Sequence, residues 1–320
     1  RPATMEEVPK STPGKGTHSS QTGEQPKGEE GPVRSGAESM EVQVERKDMR
    51  REEAKGDDQL KEAFRLYGIS KIVQAYEIIE SISESKCVKS ASDSAASQIE
   101  EIRQCYRQMV RTRELLADNE GWKCVVDNYN GVSTYHRQEE DTPIHSLKVV
   151  GIIEAPIQHI LSLIIEADLI PTFINFIKIQ LDQLKVKSVY HQILYSRIPL
   201  PWPFDHRDLA VEAHGFDVLD EHGEIIIYGA TIKEFEDVKI PEVPQRCTRL
   251  DLHLGGARIR PLTMNKVEIT AIGNLDFKIF LPPTVVNWFA KTFAYYVFCD
   301  FRSKAQATSG NGAHYERVKE

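Results

Sequence analysis

The stretch TVVNWFAKTFAYYVFCDFRSKA, residues 284–305, decides the fold of this chain because it predicts one long, strongly apolar helix. Pro282 and Pro283 precede it, and proline is favoured at the start of a helix. No helix breaker follows before about Lys304. One face of this helix carries the apolar residues Val286, Phe289, Phe293, Tyr296 and Val297.

The other faces of the same helix are also rich in aromatic residues. Trp288, Tyr295 and Phe298 lie outside the main apolar face. A helix that is apolar nearly all round is buried, or it touches a membrane or a ligand. Lys291 and Asp300 make it too charged to span a bilayer comfortably. We therefore expect it to pack on a sheet, either as ordinary core or as the cover of a ligand.

The sequence before this helix predicts a sheet. After Asp118, short apolar runs alternate with turn signals, which is typical of strands. WKCVVDNYNGVSTYHR, residues 122–137, predicts a hairpin around Gly131. SLKVVGIIEA, residues 146–155, predicts a third strand, and Pro156 opens a helix whose apolar stripe should face the sheet. Further strands are expected at 186–197, 207–214, 223–235, 247–254 and 265–277. This pattern favours one antiparallel sheet with few helices, the α+β class.

The two ends of the chain differ from this middle part. Residues 1–56 contain no Phe, Trp, Tyr, Leu or Ile, so they cannot bury enough surface to fold and we interpret them as a disordered tail. Residues 57–117 hold two apolar stripes of helical spacing, separated by the Ser-rich stretch 81–97. We expect two helices there that pack on or extend the domain. Residues 306–320 are interpreted as a second disordered tail.

Composition excludes several classes of protein. The net charge of −8 over 320 residues gives no global attraction to nucleic acid. The five cysteines are odd in number and show no CxxC spacing, which favours reduced thiols in a cytosol-like compartment and no metal or cofactor. No run reaches the roughly 18 apolar residues of a spanning helix. We expect a cytoplasmic protein, and a targeting segment upstream of Arg1 stays open.

Four separated segments resemble the StAR-related lipid-transfer (START) family of the helix-grip superfamily. In chain order they are GWKCVVDNYNGVSTYHR (121–137), PWPFDHRDLAVEAHG (201–215), GGARIRPLTMNKVEIT (255–270) and LPPTVVNWF (281–289). The resemblance implies a START domain over residues 118–305. In this fold a curved antiparallel sheet wraps around a long C-terminal helix and encloses an internal lipid tunnel.

The resemblance also implies a function. A START domain holds one amphipathic lipid in a closed tunnel, so we expect intermembrane lipid transfer with transient membrane association. A phospholipid is favoured over a sphingolipid or a sterol. The residues agree with this chemistry, because a lipid pocket needs apolar walls and a few polar groups that orient the head group.

The candidate lipid-binding residues lie on the strands as well as on the final helix. By resemblance, Gln192 and Glu212 are candidates for head-group contact, although the carboxylate–arginine pair of several relatives is absent. Otherwise each is an exposed or internally satisfied strand residue. Arg260 is a candidate for binding a phosphate, since arginine binds phosphate in a bidentate manner. Arg249 alternates with leucines and is expected to face solvent. The helix contributes Val286, Phe289, Phe293, Tyr296 and Val297.

The proline-rich loop RIPLPWPFDHRD, residues 197–208, is a candidate membrane contact. Its prolines disfavour strand pairing, so the loop presents its apolar tip stiffly. Leu200, Trp202 and Phe204 either dip into a membrane interface, where Trp is favoured, or pack on the C-terminal helix. Arg207 and Asp208 occupy the family's Arg-Asp position and are expected to anchor the loop to the sheet.

Enzyme motifs are missing from the sequence. It contains no GxSxG, HExxH, GxGxxG or GxxxxGK[ST] pattern, so we expect no catalytic residues. Two alternatives to lipid transfer stay open. The domain could report its lipid to a protein partner through the helices of residues 57–117. It could also be a pocket enzyme of the cyclase or hydrolase kind, an idea that rests on fold analogy alone.

Overall fold

The computed structural model describes residues 40–83, 86–89, 91–138, 144–174, 178–200, 202, 204–276, 278 and 289–310. The chain divides into two compact units, Arg1–Lys47 and Asp48–Glu320. Of the first unit, the structure describes only the beginning of a helix, from Met40 onward. Within the described ranges, no helix combines the length and the apolar character needed to cross a membrane.

Before the sheet, the described residues form four helices. They are α1 (Met40–Gly68), α2 (Ile72–Ser81), α3 (Lys86–Lys89) and α4 (Asp93–Ala117). Helix α1 begins inside the predicted tail, because its first turns are rich in Glu, Lys and Arg, which favour helix, and contain no proline. Residues 1–39 of that predicted tail lie outside the described residues. The first apolar stripe forms two helices rather than one, since Ser70 takes a left-handed φ of 62° between α1 and α2.

Ten strands follow. They are β1 (Lys123–Tyr129), β2 (Val132–Gln138), β3 (Ile144–Ile153), β4 (Gln180–Ser188), β5 (His191–Ile198), β6 (His206–Val218), β7 (Glu224–Thr231), β8 (Cys247–Arg249), β9 (Asp251–Thr263) and β10 (Lys266–Asp276). In space the order is β1-β2-β3-β10-β9-β7-β6-β5-β4, with β8 beside β6. Every neighbouring pair is antiparallel except β6 and β8. The predicted α+β class with an antiparallel sheet is confirmed.

Two predicted strands are wrong in their extent. The segment 247–254 was expected to be one strand, but it contains all of β8 and the beginning of β9, with Leu250 between them. The segment 186–197 was expected to be a single strand, but it contains the end of β4, a turn at Val189 and Tyr190, and most of β5. The turn residues are apolar and β-branched or aromatic, so they carry none of the Gly, Pro, Asn or Asp signals by which a turn is recognised.

The remaining helices lie after β3, after β6 and at the C-terminal end. They are α5 (Ile157–Ile165), α6 (Ile170–Phe173), α7 (Leu219–His222) and α8 (Ala294–Gly310). A π-helical turn, Phe289–Phe293, leads into α8. Helix α8 runs beyond the predicted end near Lys304. Residues 281–288, where the long helix was predicted to begin, and residues 311–320 lie outside the described residues.

The sheet is covered on both faces. Helices α1, α2 and α4 form a core with what we call the outer face, centred on fully buried residues such as Ile102, Met109 and Phe216. Helices α5, α6 and α8 form a second core with the inner face, around Ile160 and Ile259. The N-terminal helices are therefore part of the folded core of the second unit, because they pack on β6, β7, β9 and β10.

Candidate functional site

An apolar cavity of about 380 Å³ lies between the inner face and the helices that cover it. Strands β3, β9 and β10 form its floor through residues that include Leu147, Ile259 and Ala271. The opposite wall is helical and consists of Leu163, Ile164, Ile170, Phe173, Ile174, Phe293, Ala294, Val297, Phe298 and Phe301. The strands place these side chains together because every second residue of a strand points to the same face.

The chemistry of this cavity is uniform. Each lining residue that the structure describes is Leu, Val, Ile, Phe, Ala or Gly, so none of these side chains offers a hydrogen bond or a charge. Within the described part of the chain, no cluster of His, Cys, Asp or Glu is arranged to hold a metal ion. An apolar ligand gains roughly 25 cal/mol per Å² of its buried surface in such a site. The arrangement is suited to holding hydrocarbon.

Gly151 in β3 allows α8 to lie close to the inner face. A Cβ atom at this position would stand only 2.5 Å from two ring carbons of Phe298, a distance that real Cβ atoms do not tolerate. Phe298 also lines the cavity. The missing side chain of Gly151 thus sets how deeply the aromatic ring of α8 enters the site.

Two solved structures share this architecture. Human STARD10 is 16% identical, with a TM-score of 0.54 over 65% of this chain and 84% of that chain. The chain has the START fold. Human StAR-related lipid transfer protein 5 agrees, at 17% identity and a TM-score of 0.51 over 68% of this chain and 99% of that chain. No family model matches the sequence, and no curated protein matches it significantly. The two structural matches confirm the predicted helix-grip fold.

The final helix of this START fold supplies part of the predicted site. Phe293 and Val297 line the cavity, as the helical pattern suggested. Tyr296 is 49% exposed and does not line it. Val286 lies outside the described residues, and of Phe289 only the backbone is described.

Gln192 does not line the cavity. It is buried, and its amide nitrogen donates to the carbonyl oxygens of Ile165 at 2.9 Å and Val189 at 3.2 Å. Its carbonyl oxygen accepts from the amide of Gln183 at 2.9 Å. Because Ile165 ends α5, these bonds attach that helix to the edge of the sheet. The protein itself uses the hydrogen-bonding groups that were predicted to meet a lipid head group.

Glu212 lies on the outer face, away from the cavity. It accepts a hydrogen bond of 2.8 Å from Nε2 of His191, whose ring stacks on His214 with centroids 4.3 Å apart. Cys105 of α4 reaches the same group, with its sulfur 3.6 Å from Nδ1 of His214. The predicted head-group contact by Glu212 is thus not in the cavity, because the strand alternation places this residue under the N-terminal helices.

The cysteine and histidine of this buried group are both neutral. Burial raises the pKa of the Cys105 thiol to about 12. Burial, assisted by the neighbouring His191 and Lys187, lowers the pKa of His214 to about 3. A reactive cysteine needs the opposite shifts, toward thiolate and imidazolium. This pair therefore has the electrostatics of a structural contact.

Arg260 also lies outside the cavity. Its guanidinium donates to Glu268 at 2.7 Å across the β9–β10 pair, and its side chain is 45% exposed. The alternation of β9 places Ile259 on the inner face, so its neighbour Arg260 points away from the cavity. The phosphate contact predicted for Arg260 is therefore absent from this cavity.

The proline-rich loop presents its aromatic tip to solvent. Trp202 is 83% exposed and Phe204 is 40% exposed, whereas Leu200 is half-buried. Pro201 and Pro203 lie outside the described residues. The three apolar residues line a second cleft of about 310 Å³ together with Arg197, His206, Gln245 and Arg246. Trp202 is thus available for contact with another surface.

Asp208 is the buried centre of the loop's attachment to the sheet. Its carboxylate accepts from Nη2 of Arg249 at 2.6 Å and from the hydroxyl of Tyr195 at 3.0 Å. Arg207 donates to the carbonyl oxygen of Asp205 at 2.6 Å. The expectation that Arg249 faces solvent is wrong, because β8 runs parallel to β6 and places Arg249 beside Asp208.

Sequence reasoning missed the floor of the cavity. Leu147, Ile269 and Ala271 line it from β3 and β10, whereas the sequence pattern had pointed to the final helix and to the leucines that alternate with Arg249. None of those leucines lines the cavity. The alternation of apolar residues along these strands was visible, yet it identifies a buried face without saying whether that face is filled or hollow. The arginines of the second cleft were missed as well, since Arg197 and Arg246 are distant in the sequence.

Proposed function

We propose that this protein holds one amphipathic lipid in the apolar cavity and carries it between membranes. The observation that carries the proposal is the lining, in which every residue of the described part of the chain is apolar, around a volume of about 380 Å³. Each methylene transferred from water into such a site contributes about 0.8 kcal/mol, so hydrocarbon chains are taken up without any chemical step. The START fold supports the proposal, and one of its fold neighbours is a human lipid transfer protein by name.

A phospholipid is the favoured ligand within this proposal, and the preference rests on the family resemblance. Gln192 and Glu212 are engaged by other protein groups, so they do not select a head group in this conformation. The alternative ligands are a sphingolipid and a sterol. The mass of the bound molecule distinguishes the three classes.

Exchange of the lipid requires the cavity to open. Phe293 lies both in the π-helical turn before α8 and in the cavity wall. Single π-helical turns are frequent at functional sites. We assign this turn the role of a hinge that lets α8 move away from the sheet. The exposed Trp202 would hold the protein at the membrane interface during opening.

Binding rather than turnover is part of the proposal. Among its described lining residues, the cavity has no polar side chain that could act as an acid, a base or a nucleophile. The buried Cys105 and His214 lie beyond the sheet, on its outer face, and are both neutral. We expect the lipid to be recovered chemically unchanged, and Glu212→Gln to leave its uptake unaffected.

The first experiment is native mass spectrometry of the purified full chain, followed by extraction and identification of the lipid that it retains. The test variant is Ala271→Phe, which fills the cavity from β10. Ala54→Phe, an equal change at an exposed position of α1, is the matched control. We expect one lipid per chain in the wild type and the control, and at least a tenfold lower occupancy in Ala271→Phe.

Thermal unfolding separates lost binding from lost structure, because overpacking a core costs about 1–3 kcal/mol. A folded Ala271→Phe protein with wild-type occupancy would contradict the cavity as the binding site. An empty wild-type protein that also takes up no lipid from mixed vesicles would contradict the carrier function.

A further inference from the structure

The second cleft, beside Trp202, has a chemistry unlike that of the apolar cavity. Arg197 reaches it from the end of β5, His206 from the start of β6, and Gln245 and Arg246 from the loop before β8. Its volume is about 310 Å³. Two arginines, a histidine and a glutamine therefore line one open space on a chain whose net charge is −8.

The positive charge of this cleft is not neutralised by the protein. Neither Arg197 nor Arg246 makes an ion pair with any residue that the structure describes. The nearest strand partner of Arg197 that carries a carboxylate is Asp208, which is already bound by Arg249. Asp205 of the same loop is exposed and forms no ion pair with either arginine among the described residues. Two arginines are thus left for an anion from outside the chain.

The local geometry of His206 and Arg246 also favours a ligand in this cleft. Nδ1 of His206 accepts from the backbone N–H of Leu200 at 3.1 Å, so the proton of the neutral ring is on Nε2 and can be donated to a ligand. Arg246 has a left-handed φ of 55°, an uncommon conformation for a residue other than glycine that concentrates at ligand sites. Its carbonyl oxygen accepts from the backbone N–H of His206 at 2.9 Å, which fixes the two residues beside each other.

We propose that this cleft binds a phosphate group through Arg197 and Arg246, with His206 as a further donor. Guanidinium groups match phosphate in planar, bidentate geometry. The exposed Trp202 lies on the cleft wall, and Trp is favoured at the interface between membrane and water. This position indicates that the phosphate belongs to a lipid at a membrane surface. The cleft and the apolar cavity have no lining residue in common, so this site goes beyond lipid carriage and does not depend on it.

The test is sedimentation of the full chain with vesicles of phosphatidylcholine alone and of phosphatidylcholine containing phosphatidic acid. The variants are Arg197→Gln, Arg246→Gln and the double variant. Arg107→Gln, an equal charge change on the exposed side of α4, is the matched control. We expect affinity for the anionic vesicles to fall roughly fivefold per arginine and roughly thirtyfold in the double variant. The control should bind like the wild type.

Titration with inorganic phosphate identifies the source of the anion. Trp202→Ala should weaken vesicle binding and leave phosphate binding unchanged if the ligand is a lipid. Arginine-dependent binding of inorganic phosphate without vesicle binding would support the site with a free phosphate as its ligand. Wild-type binding of both probes by a folded double variant would overturn the proposal, and so would a wild type that binds neither. Lipid occupancy of the apolar cavity, measured by native mass spectrometry, reports separately on the carrier function.

Discussion

Three polar side chains that the sequence pattern singled out find their partners within the chain. Gln192 binds α5 and β4, Glu212 binds His191, and Asp208 binds Arg249. A buried polar group without a partner costs about 1–3 kcal/mol, so each of these contacts has a structural reason. A sequence pattern identifies such a residue as inward-pointing, but it does not say whether a ligand or the protein satisfies it.

Stability should depend on pH through His214. Its pKa of about 3 in the folded state lies below the ordinary value of 6.5, so on acidification the unfolded chain binds the proton first. This contribution to the free energy of unfolding is fully present above about pH 6.5 and is lost toward pH 3, by about 1.4 kcal/mol per pH unit. When urea unfolding is measured between pH 7 and pH 4, His214→Phe should reduce the dependence of the free energy of unfolding on pH by that amount.

The control for this experiment is His222→Gln, at an exposed position of α7. Its slope should match that of the wild type. His136 and His145 also have lowered pKa values because of burial, so part of the acid dependence should survive in His214→Phe. Equal slopes for His214→Phe and the wild type would contradict a neutral, buried His214.

At the level of elements, the contact between β3 and α8 controls the depth of the cavity. It depends on the missing side chain of Gly151, which leaves room for Phe298. Helix propensity and apolar pattern decide that α8 forms, whereas this contact decides where it lies. A displaced α8 would keep its secondary structure but would change the cavity beneath it.

Gly151→Ala should therefore destabilise the protein by about 1–3 kcal/mol, because the added methyl group overlaps the ring of Phe298. It should also change lipid retention, since Phe298 lines the cavity. Chemical unfolding measures the loss of stability, and native mass spectrometry measures the retained lipid. Gly68→Ala is the control, as an added Cβ there meets nothing within 4 Å. Equal stability and equal lipid retention in the two variants would contradict the role of Gly151.

At the level of the whole molecule, one sheet belongs to two cores. Helices α2 and α4 cover the outer face, and α5, α6 and α8 cover the inner face. Deleting residues 57–117 would therefore not be a selective test of whether the domain reports its lipid through these helices, because the deletion would expose a hydrophobic face. Substitutions on the solvent side of these helices would test a protein partner without opening the core.

Because the sheet is shared, the second unit should unfold in one transition. Ile102→Ala in the outer core and Ile259→Ala in the inner core should each lower its free energy of unfolding by about 2–5 kcal/mol. Both residues are fully buried. Val44→Ala, at an exposed position, should change it by less than about 0.5 kcal/mol. Two separate transitions, seen by calorimetry and by tryptophan fluorescence, would contradict a single cooperative unit.

Local sequence pattern was enough to predict several elements of this protein. Apolar periodicity predicted the hairpin of β1 and β2, strand β3, helix α5 behind Pro156, and a final apolar helix. These helices and strands depend on residues that are close in sequence, because their periods of 3.6 and 2 residues are visible along the chain. The order of four short segments was enough to suggest the fold.

Only the tertiary structure decided what those elements do together. It placed Glu212 under α4, engaged Gln192 with α5, and assembled the cleft of Arg197 and Arg246 from distant segments. It also left a cavity on one face of the sheet while α4 filled the other. Hydrophobic patterning makes a side chain point inward, but whether that space is packed or empty depends on the depth at which the covering helices lie.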